Sequence, residues 1–350
     1  MSRYNRHIIL EDIGVAGQKK ITSAKVLVIG AGGLGCPVLQ YLVAAGVGTI
    51  GIVDYDNVEE SNLQRQVLFG TSTLGKNKAL SAKERLTDLN PTIKINAYPE
   101  RLTIKNAKEY FSEYDIIVDG TDNFESRYLI NDASVLTNKP VVYGAIYKFE
   151  GQVAVFNYKE GPTYRCLFPS PPKESSIPNC SEVGVLGVLP GIIGTMQANE
   201  VLKIILDFKD VLSGKLFCFN AKTSQTSTFS ISKSNYKVEE LKPIESKNCN
   251  TEIKEIYIED ALQINNSQFL DVRELNEIPK ADLPNYIQIP LRELSQSIHK
   301  LDKSKTIIVL CQTGIRSKTA IEQLQKQNFN NCFNLKGGII ASQNYLKEKI

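Results

Sequence analysis

The chain has 350 residues, enough for two domains that each bury their own core. Lysine plus arginine numbers 41 against 38 aspartate plus glutamate, with no basic stripe, so we expect no nucleic acid as a main ligand. No apolar run approaches the ~20 residues that cross a bilayer, and the N-terminus lacks the apolar core of a signal peptide, so we expect no membrane partner. Seven scattered cysteines, none in a close pair, favour a reducing cytoplasm.

A strand, a glycine turn and the start of a helix follow one another at residues 26–35. The apolar run stops at Gly30, and a helical pattern begins after Gly35. Glycines let the backbone approach a phosphate closely, and the helix N-terminus favours its charge. A second strand then ends in Asp54, where an acid is placed to take a ribose hydroxyl. The predicted adenine-nucleotide site consists of Gly30, Gly32, Gly33, Gly35 and Asp54.

Strands and helices alternate over the next 180 residues or so. The predicted helices are 76–89, 107–111, 126–137 and 188–206, and the predicted strands are 92–97, 115–119, 140–144, 151–156, 216–219 and 227–231. This alternation predicts a Rossmann-like, doubly wound α/β sheet, which strand 151–156 extends in the antiparallel sense. The proline-rich segment 162–183 interrupts the pattern and is predicted to be a long loop.

A polar stretch separates this region from a second α/β unit. We expect a first domain at 1–235, a linker at 236–252 and a second domain at 253–350. Within the second domain the patterns predict strands at 267–273, 286–290 and 305–310 and helices at 291–301 and 318–327.

Charged residues follow the predicted strands at the edge where open α/β sheets bind ligands. Arg65 comes after the second strand and can clamp a triphosphate, while Lys78 stands near the start of a helix. Asp122 follows strand 115–119, and a carboxylate there suits a magnesium ion that bridges phosphate oxygens. Each could instead be a solvated surface charge, the interpretation we favour for Arg3 and Lys76.

These features together resemble the ubiquitin-activating superfamily, specifically its small bacterial members MoeB, ThiF and HesA. The resemblance covers nearly all of residues 1–235, and the segments that carry it are Arg3–Leu10, Gly30–Gly35, Ser61–Gln66, Thr121–Asn123 and Gly151–Gln152. It implies a homodimer whose domain binds Mg·ATP and adenylates the C-terminal Gly-Gly carboxylate of a ubiquitin-fold sulfur carrier.

The same resemblance implies roles for individual residues. Asp54 holds the ribose, while Asn62, Arg65 and Lys78 hold the phosphates. Arg6 reaches the γ-phosphate in the partner subunit, and Asp122 holds magnesium. Nucleotidyl transfer relies on positioning and charge neutralisation more than on a covalent group, so Arg65 and Asp122 are also the expected catalytic residues of this domain.

The cysteines of the first domain depart from the family pattern. Many relatives carry two CxxC pairs that bind structural zinc. Here Thr163 occupies the first cysteine position of the pair that would end in Cys166, and only Cys249 lies near the place of the second pair. Since Zn²⁺ needs four good ligands, we expect no structural zinc. Cys180 stands where several relatives carry a thiol that bonds to the activated carrier, which makes it a catalytic candidate; a bystander cysteine is the alternative.

Cys311 lies between strand 305–310 and a predicted helix. Backbone N–H groups and the helix N-terminus stabilise a thiolate in such a loop. The unit resembles the rhodanese family over 253–350, which implies that Cys311 carries a persulfide. Phosphatases of similar design keep a longer loop between cysteine and arginine to cradle phosphate. Here four residues separate Cys311 from Arg316, which favours sulfur.

The chain joins an adenylating domain to a domain that carries a persulfide. This fusion predicts that the adenylated sulfur carrier protein receives sulfur and becomes a thiocarboxylate. The covalent link between the domains raises the effective concentration of the persulfide. The expected carrier is the small subunit of molybdopterin synthase, with the thiamine thiazole carrier as the alternative. A cysteine desulfurase is the kind of donor expected to load Cys311. A nicotinamide-dependent dehydrogenase would share the glycine turn but leave Arg65, Lys78 and Asp122 without a triphosphate. A nucleotide-binding scaffold would have an inactive rhodanese domain.

Overall fold

The computed structural model describes residues 3–171, 184–243, 253–312 and 314–348. The chain divides into two compact units, Met1–Ser246 and Lys247–Ile350. Cys180 and Cys249 lie outside the described residues, and the linker expected at 236–252 lies only partly within them. The domain boundaries therefore stay a prediction.

The first unit alternates helices and strands as far as β5 and then adds three antiparallel strands. Its elements are α1 (Asn5–Ile8), α2 (Gly14–Ser23), β1 (Lys25–Ile29), α3 (Gly35–Ala45), β2 (Thr49–Val53), α4 (Lys78–Leu89), β3 (Lys94–Tyr98), α5 (Ala107–Glu113), β4 (Ile116–Asp119), α6 (Phe124–Thr137), β5 (Val141–Tyr147), β6 (Glu150–Phe156), α7 (Tyr164–Leu167), α8 (Val188–Ile205), β7 (Lys215–Asn220) and β8 (Gln225–Ser230).

The eight strands of this unit form one sheet in the order β3-β2-β1-β4-β5-β6-β7-β8. Strands β1 to β5 are parallel, and β6, β7 and β8 continue the sheet in the antiparallel sense. The strand order reverses between β1 and β4, and open sheets of this kind bind ligands in the crevice beyond such a switch point. The predicted doubly wound sheet with an antiparallel extension is confirmed.

The apolar residues of strand β1 pack against helices on both faces of the sheet. Val26 and Val28 pack in one hydrophobic cluster with residues of α3 and α4, while Leu27 and Ile29 pack in a second cluster with residues of α5 and α6. Successive side chains of a strand point to opposite faces, so a strand covered by helices on both faces needs apolar residues at every position.

The second unit is a smaller α/β domain. Its elements are β9 (Glu255–Ile256), α9 (Ile258–Ala261), β10 (Ser267–Asp271), β11 (Tyr286–Gln288), α10 (Leu294–Ser297), β12 (Thr306–Leu310), α11 (Ile315–Lys326), β13 (Cys332–Leu335) and α12 (Gly338–Glu348). The strands form a parallel sheet in the order β11-β10-β12-β13-β9. This agrees with the predicted small rhodanese-like fold.

The helix predicted at 291–301 is wrong. Two 3₁₀ turns, Leu291–Glu293 and Ile298–Lys300, flank the four-residue α10 instead. Leu294 is buried and packs in the core, so the apolar spacing reports burial rather than one continuous helix. Among the described residues, no helix is both long and apolar enough to cross a membrane.

Candidate active sites

The glycine turn joins β1 to α3 at the switch point of the first sheet. Gly30 has φ 93°, in the left-handed region that favours glycine. A Cβ on Gly35 would lie 1.9 Å from the Gly30 carbonyl oxygen, and one on Gly30 would lie 2.9 Å from that of Gly120, just after β4. Within the described residues, no side chain caps the N-terminus of α3. The turn therefore brings an uncapped helix N-terminus to the ends of β1 and β4, a suitable place for phosphate.

Asp54 is tied to this turn from the end of β2. Its Oδ2 accepts a hydrogen bond of 2.7 Å from the Ala31 N–H, and its Oδ1 accepts one of 2.9 Å from the Asp56 N–H. Burial raises the pKa of the Asp54 carboxyl, although these hydrogen bonds and nearby Lys78 oppose the rise. The carboxylate is therefore held in one orientation, and each oxygen keeps a lone pair for a ribose hydroxyl.

Lys78 begins α4 and is almost buried. Its Nζ lies 3.1 Å from Asp56 Oδ2. Asn77 caps the helix by accepting a hydrogen bond from the Leu80 N–H, and it also donates to the Asp54 and Asp56 carbonyl oxygens. Asn77 thus fixes the start of α4, and with it the position of Lys78, relative to Asp54. No sequence pattern marked Asp56 as the partner of Lys78.

Asn62 ends a short 3₁₀ turn (Glu60–Asn62) that follows β2, and Arg65 lies in the turn directly after it. Asn62 is buried, and its Oδ1 accepts a hydrogen bond of 3.4 Å from the Glu59 N–H. Arg65 donates from Nη1 to the Ser61 carbonyl oxygen at 3.0 Å, and its Cγ lies 3.6 Å from where a Cβ on Gly33 would stand. Arg65 therefore packs against the glycine turn, as a phosphate-binding role requires.

Asp122 lies on a braced turn after β4. Thr121 donates from both its N–H and its hydroxyl to Asp119, a buried carboxyl whose pKa is raised by that burial. Arg127 donates to the Thr121 carbonyl oxygen at 3.0 Å, and Asn123 caps α6. Asp122 itself is exposed. Sequence patterns did not single out Asp119 and Arg127 as the residues that brace this turn, although Arg127 stands one helical turn after the Asn123 cap.

A magnesium ion at Asp122 would need further ligands. Among the described residues no three His, Cys, Asp or Glu side chains cluster as a metal site. Mg²⁺ commonly takes one or two carboxylates and completes its shell with water and phosphate oxygens. A single exposed carboxylate beside a phosphate-binding turn therefore fits magnesium that arrives with a nucleotide.

Arg6 lies far from this cluster within its own chain. His7 Nδ1 is 3.2 Å from Gln18 Oε1, and Gln18 donates to the carbonyl oxygen of Ala45, the last residue of α3. The glycine turn stands at the other end of α3, and 11 residues of helix span about 16 Å. Arg6 is exposed on α1, so its predicted role depends on a second subunit.

Among the described residues, the hydrogen-bond partners of the Cys166 sulfur are Thr163 and Ser234, which both carry hydroxyls. Its Sγ accepts hydrogen bonds from the N–H groups of Thr163 at 3.2 Å and Ser234 at 3.3 Å, and both hydroxyls lie within 3.5 Å. Burial acts to raise the pKa of the Cys166 thiol, but these hydrogen bonds outweigh it and lower the pKa to about 7. Ser234 was missed because it is remote in sequence. The absence of structural zinc stays a prediction.

In the second unit Cys311 follows β12 and precedes α11. The Gly314 N–H donates to its Sγ at 3.2 Å, and Ser317 Oγ lies 3.5 Å from the sulfur. Gly314 has φ 106° and caps α11, so the loop turns sharply to aim this N–H at the sulfur. Cys311 is only 1% exposed, so almost none of the residue meets solvent.

The charged turn after β10 braces the same loop. Arg273 and Asp271 form an ion pair whose side chains are both fully buried, with Nη2 and Oδ2 2.7 Å apart. Arg273 also donates from Nη1 to Gln312 Oε1 at 3.4 Å. The segment that carries the rhodanese resemblance therefore holds the residue next to Cys311.

The two sites define a nucleotide-binding α/β protein with a second domain built around a cysteine loop. Residues 4–240 match the model of the ThiF family, and residues 256–344 match that of the rhodanese-like domain. The chain belongs to the ThiF family and carries a rhodanese-like domain, as the resemblance predicted.

Two named relatives match this chain over nearly its whole length. The chain is 39% identical over 368 residues to the probable adenylyltransferase/sulfurtransferase MoeZ of Mycobacterium tuberculosis, covering 97% of this chain and 92% of MoeZ. It is 40% identical over 357 residues to a probable molybdopterin-synthase adenylyltransferase of Porphyra purpurea, covering 99% and 93%. A structure of E. coli MccB with ATP shares the fold at TM-score 0.59 and 23% identity, covering 67% of this chain and 72% of MccB. The prediction of an adenylyltransferase with a sulfurtransferase domain is confirmed.

Proposed function

We propose that the chain uses Mg·ATP to adenylate the C-terminal Gly-Gly carboxylate of a ubiquitin-fold sulfur carrier and then replaces AMP with sulfur from Cys311. The observation that carries the proposal is that one chain holds both the charged cluster around the glycine turn and a cysteine with a backbone N–H aimed at its sulfur. The name of the Porphyra relative favours the small subunit of molybdopterin synthase as the carrier. The thiazole carrier is the second candidate.

In the first step a carboxylate oxygen of the carrier attacks the α-phosphorus of ATP. The new bond joins the carboxylate to AMP, and the broken bond releases pyrophosphate with its electron pair. Asp54 holds the ribose, and Asn62, Arg65 and Lys78 offset the charge that develops on the leaving phosphates. Asp122 would hold the magnesium ion, which would neutralise phosphate charge when bound. Arg6 reaches the same phosphates from the partner subunit of a homodimer.

In the second step the terminal persulfide sulfur of Cys311 attacks the acyl carbon, and AMP leaves with the electron pair of the broken bond. The product is an acyl disulfide between the carrier and Cys311. A second thiol then attacks the Cys311 sulfur, which releases the carrier thiocarboxylate and leaves a disulfide for an external dithiol to reduce. Cys180 is the candidate for that thiol. A cysteine desulfurase reloads Cys311.

The test separates the two reactions. Cys311→Ala is expected to abolish thiocarboxylate formation while carrier-dependent, Mg²⁺-dependent exchange of pyrophosphate into ATP continues at the wild-type rate, because adenylation uses the first unit. Cys332→Ala, a second cysteine of the same unit, is the control. Mass spectrometry of the carrier and radiolabelled exchange measure the two activities. Full thiocarboxylate formation by Cys311→Ala from the same donor would refute the proposal.

A further inference from the structure

An ion pair stands beside the cysteine loop. Arg316, in the first turn of α11, donates from Nη1 to Glu277 Oε1 at 2.6 Å and from Nη2 to Glu277 Oε2 at 2.8 Å. The side chains of Arg316 and Glu277 are only 14% and 27% exposed. Two parallel hydrogen bonds with little solvent make this a strong pairing, unlike a solvated surface ion pair.

Glu277 is itself held in place. Its Oε1 accepts a hydrogen bond of 2.8 Å from the Glu274 N–H, and its own N–H donates to the Glu274 carbonyl oxygen at 3.0 Å. Arg316 and the Glu274 N–H together lower the pKa of the Glu277 carboxyl, with Arg316 the larger cause. The carboxylate is therefore charged at neutral pH and is oriented towards Arg316 by its own turn.

The pair adjoins the reactive sulfur through the loop. Arg316 precedes Ser317, whose Oγ lies 3.5 Å from Cys311 Sγ. A second arginine, Arg273, contacts Gln312 of the loop and is engaged by the buried Asp271. Both of these arginines are thus matched by a carboxylate, so the cations next to the loop offer an incoming anion much less net charge than their number suggests.

Sulfur donors differ in how much they need such charge. When the Cys311 thiolate takes sulfur from thiosulfate, it bonds to the outer sulfur, the S–S bond of thiosulfate breaks, and sulfite leaves with the electron pair. A dianion enters and a dianion departs, so a cation at the loop assists both events. With a protein persulfide the thiolate bonds to the terminal sulfur, and a single thiolate leaves. This second reaction demands less positive charge.

We propose that Glu277 is a specificity-determining residue for sulfur loading. By occupying both terminal nitrogens of Arg316, it disfavours small dianionic donors such as thiosulfate and reserves Cys311 for a persulfide donor. The inference rests on the proposed role of Cys311 as the sulfur carrier of this domain.

The experiment compares two donors on the full-length protein. Glu277→Gln keeps the shape of the side chain and removes its charge. We expect the KM for thiosulfate, measured with cyanide as acceptor, to fall about tenfold, roughly what one charge-assisted hydrogen bond contributes to binding. Loading from a cysteine desulfurase with L-cysteine, followed by intact-mass spectrometry, is expected to stay at the wild-type rate. Glu277→Ala should show the same direction of change.

Glu274→Gln is the matched control. Glu274 lies three residues away and pairs with Arg292 at 3.0 Å rather than with Arg316, so its substitution removes the same charge without altering the Glu277–Arg316 ion pair. Arg316→Gln added to Glu277→Gln should cancel the gain. An unchanged KM in both Glu277 variants, or an equal gain in Glu274→Gln, would overturn the inference. If wild-type protein loads from neither donor, the proposed role of Cys311 fails instead.

Discussion

Lys78 is the residue whose loss should be most informative about nucleotide chemistry. Its side chain is nearly buried, whereas its partner Asp56 is half exposed and can be hydrated when the lysine is removed. We therefore expect Lys78→Ala to fold normally and to lower pyrophosphate exchange by about 10²-fold, the usual cost of losing a charge-stabilising group. Lys76→Ala, an exposed neighbour, should leave exchange unchanged. A Lys78→Ala protein that exchanges at full rate would remove this residue from the phosphate site.

The reactivity of the Cys166 thiol should depend on pH in a way that reports the hydrogen bonds from Thr163 and Ser234. Its pKa of about 7 in the folded protein lies below the ordinary thiol value of 9.0. The thiolate therefore contributes stability that is fully present above pH 9 and is lost as the pH falls through about 7. We expect the iodoacetamide reaction at Cys166, followed by peptide mapping, to have its midpoint near pH 7 and to shift upward in Ser234→Ala. An unshifted midpoint would mean that Ser234 does not stabilise the thiolate.

At the scale of elements, two glycines of the same turn are expected to serve different purposes: Gly35 allows the turn to fold, and Gly32 leaves room for ATP. Gly35→Ala puts a Cβ 1.9 Å from a backbone oxygen and should lower the melting temperature strongly. Among the described residues, a Cβ on Gly32 meets nothing closer than Gln66 Nε2 at 3.7 Å. Gly32→Ala should therefore keep its stability but weaken ATP binding, because its methyl group would stand where we expect the phosphates to bind. Calorimetry and nucleotide titration measure the two effects.

Gly191→Ala is the control for these variants. A Cβ there meets no described atom within 4 Å, and alanine has a higher helix propensity than glycine inside α8. A Gly35→Ala protein with wild-type stability would show that the close approach of Gly35 to Gly30 does not restrain the turn. If Gly32→Ala binds ATP with wild-type affinity, the phosphates do not bind next to this glycine.

Local signals explain which elements could be predicted from the sequence. The strand, turn and helix from Lys25 to Ala45 were predictable because an apolar run, fixed glycines and helical spacing follow one another directly. The break at 291–301 was not, because tertiary burial of Leu294 imitates helical periodicity. The contact partners of the candidate residues could not be predicted either. Asp56, Ser234 and Glu277 each reach their contacts from 22 to 68 residues away in the chain, and no short-range pattern encodes such a pairing.

At the scale of the whole molecule, the position of Arg6 predicts that two chains build each nucleotide site. Because Arg6 lies at the opposite end of α3 from the glycine turn, its proposed contact comes from a partner subunit. Arg6→Ala and Lys78→Ala should each be poor in pyrophosphate exchange. When the two are co-expressed, a mixed dimer has one site with both substitutions and one with neither, so exchange should recover.

The control is co-expression of Lys78→Ala with Asp122→Ala. Both residues belong to the site of their own chain, so every site of a mixed dimer keeps one defect and exchange should stay low. Recovery in the control, or its absence with Arg6→Ala despite mixed dimers by native mass spectrometry, would place Arg6 outside the partner's site.

The pairing of β9 with β13 has a consequence for how the chain is synthesised. The first strand of the second unit finds its partner only in the last one, and the Ile339 N–H, beyond that strand, donates to the Cys311 carbonyl oxygen. On the ribosome, where N-terminal domains generally fold first, the nucleotide-binding unit can fold while the sulfur loop still lacks its final contacts. The first unit of a nascent chain can therefore be complete before the cysteine loop of the second unit has its last hydrogen bond.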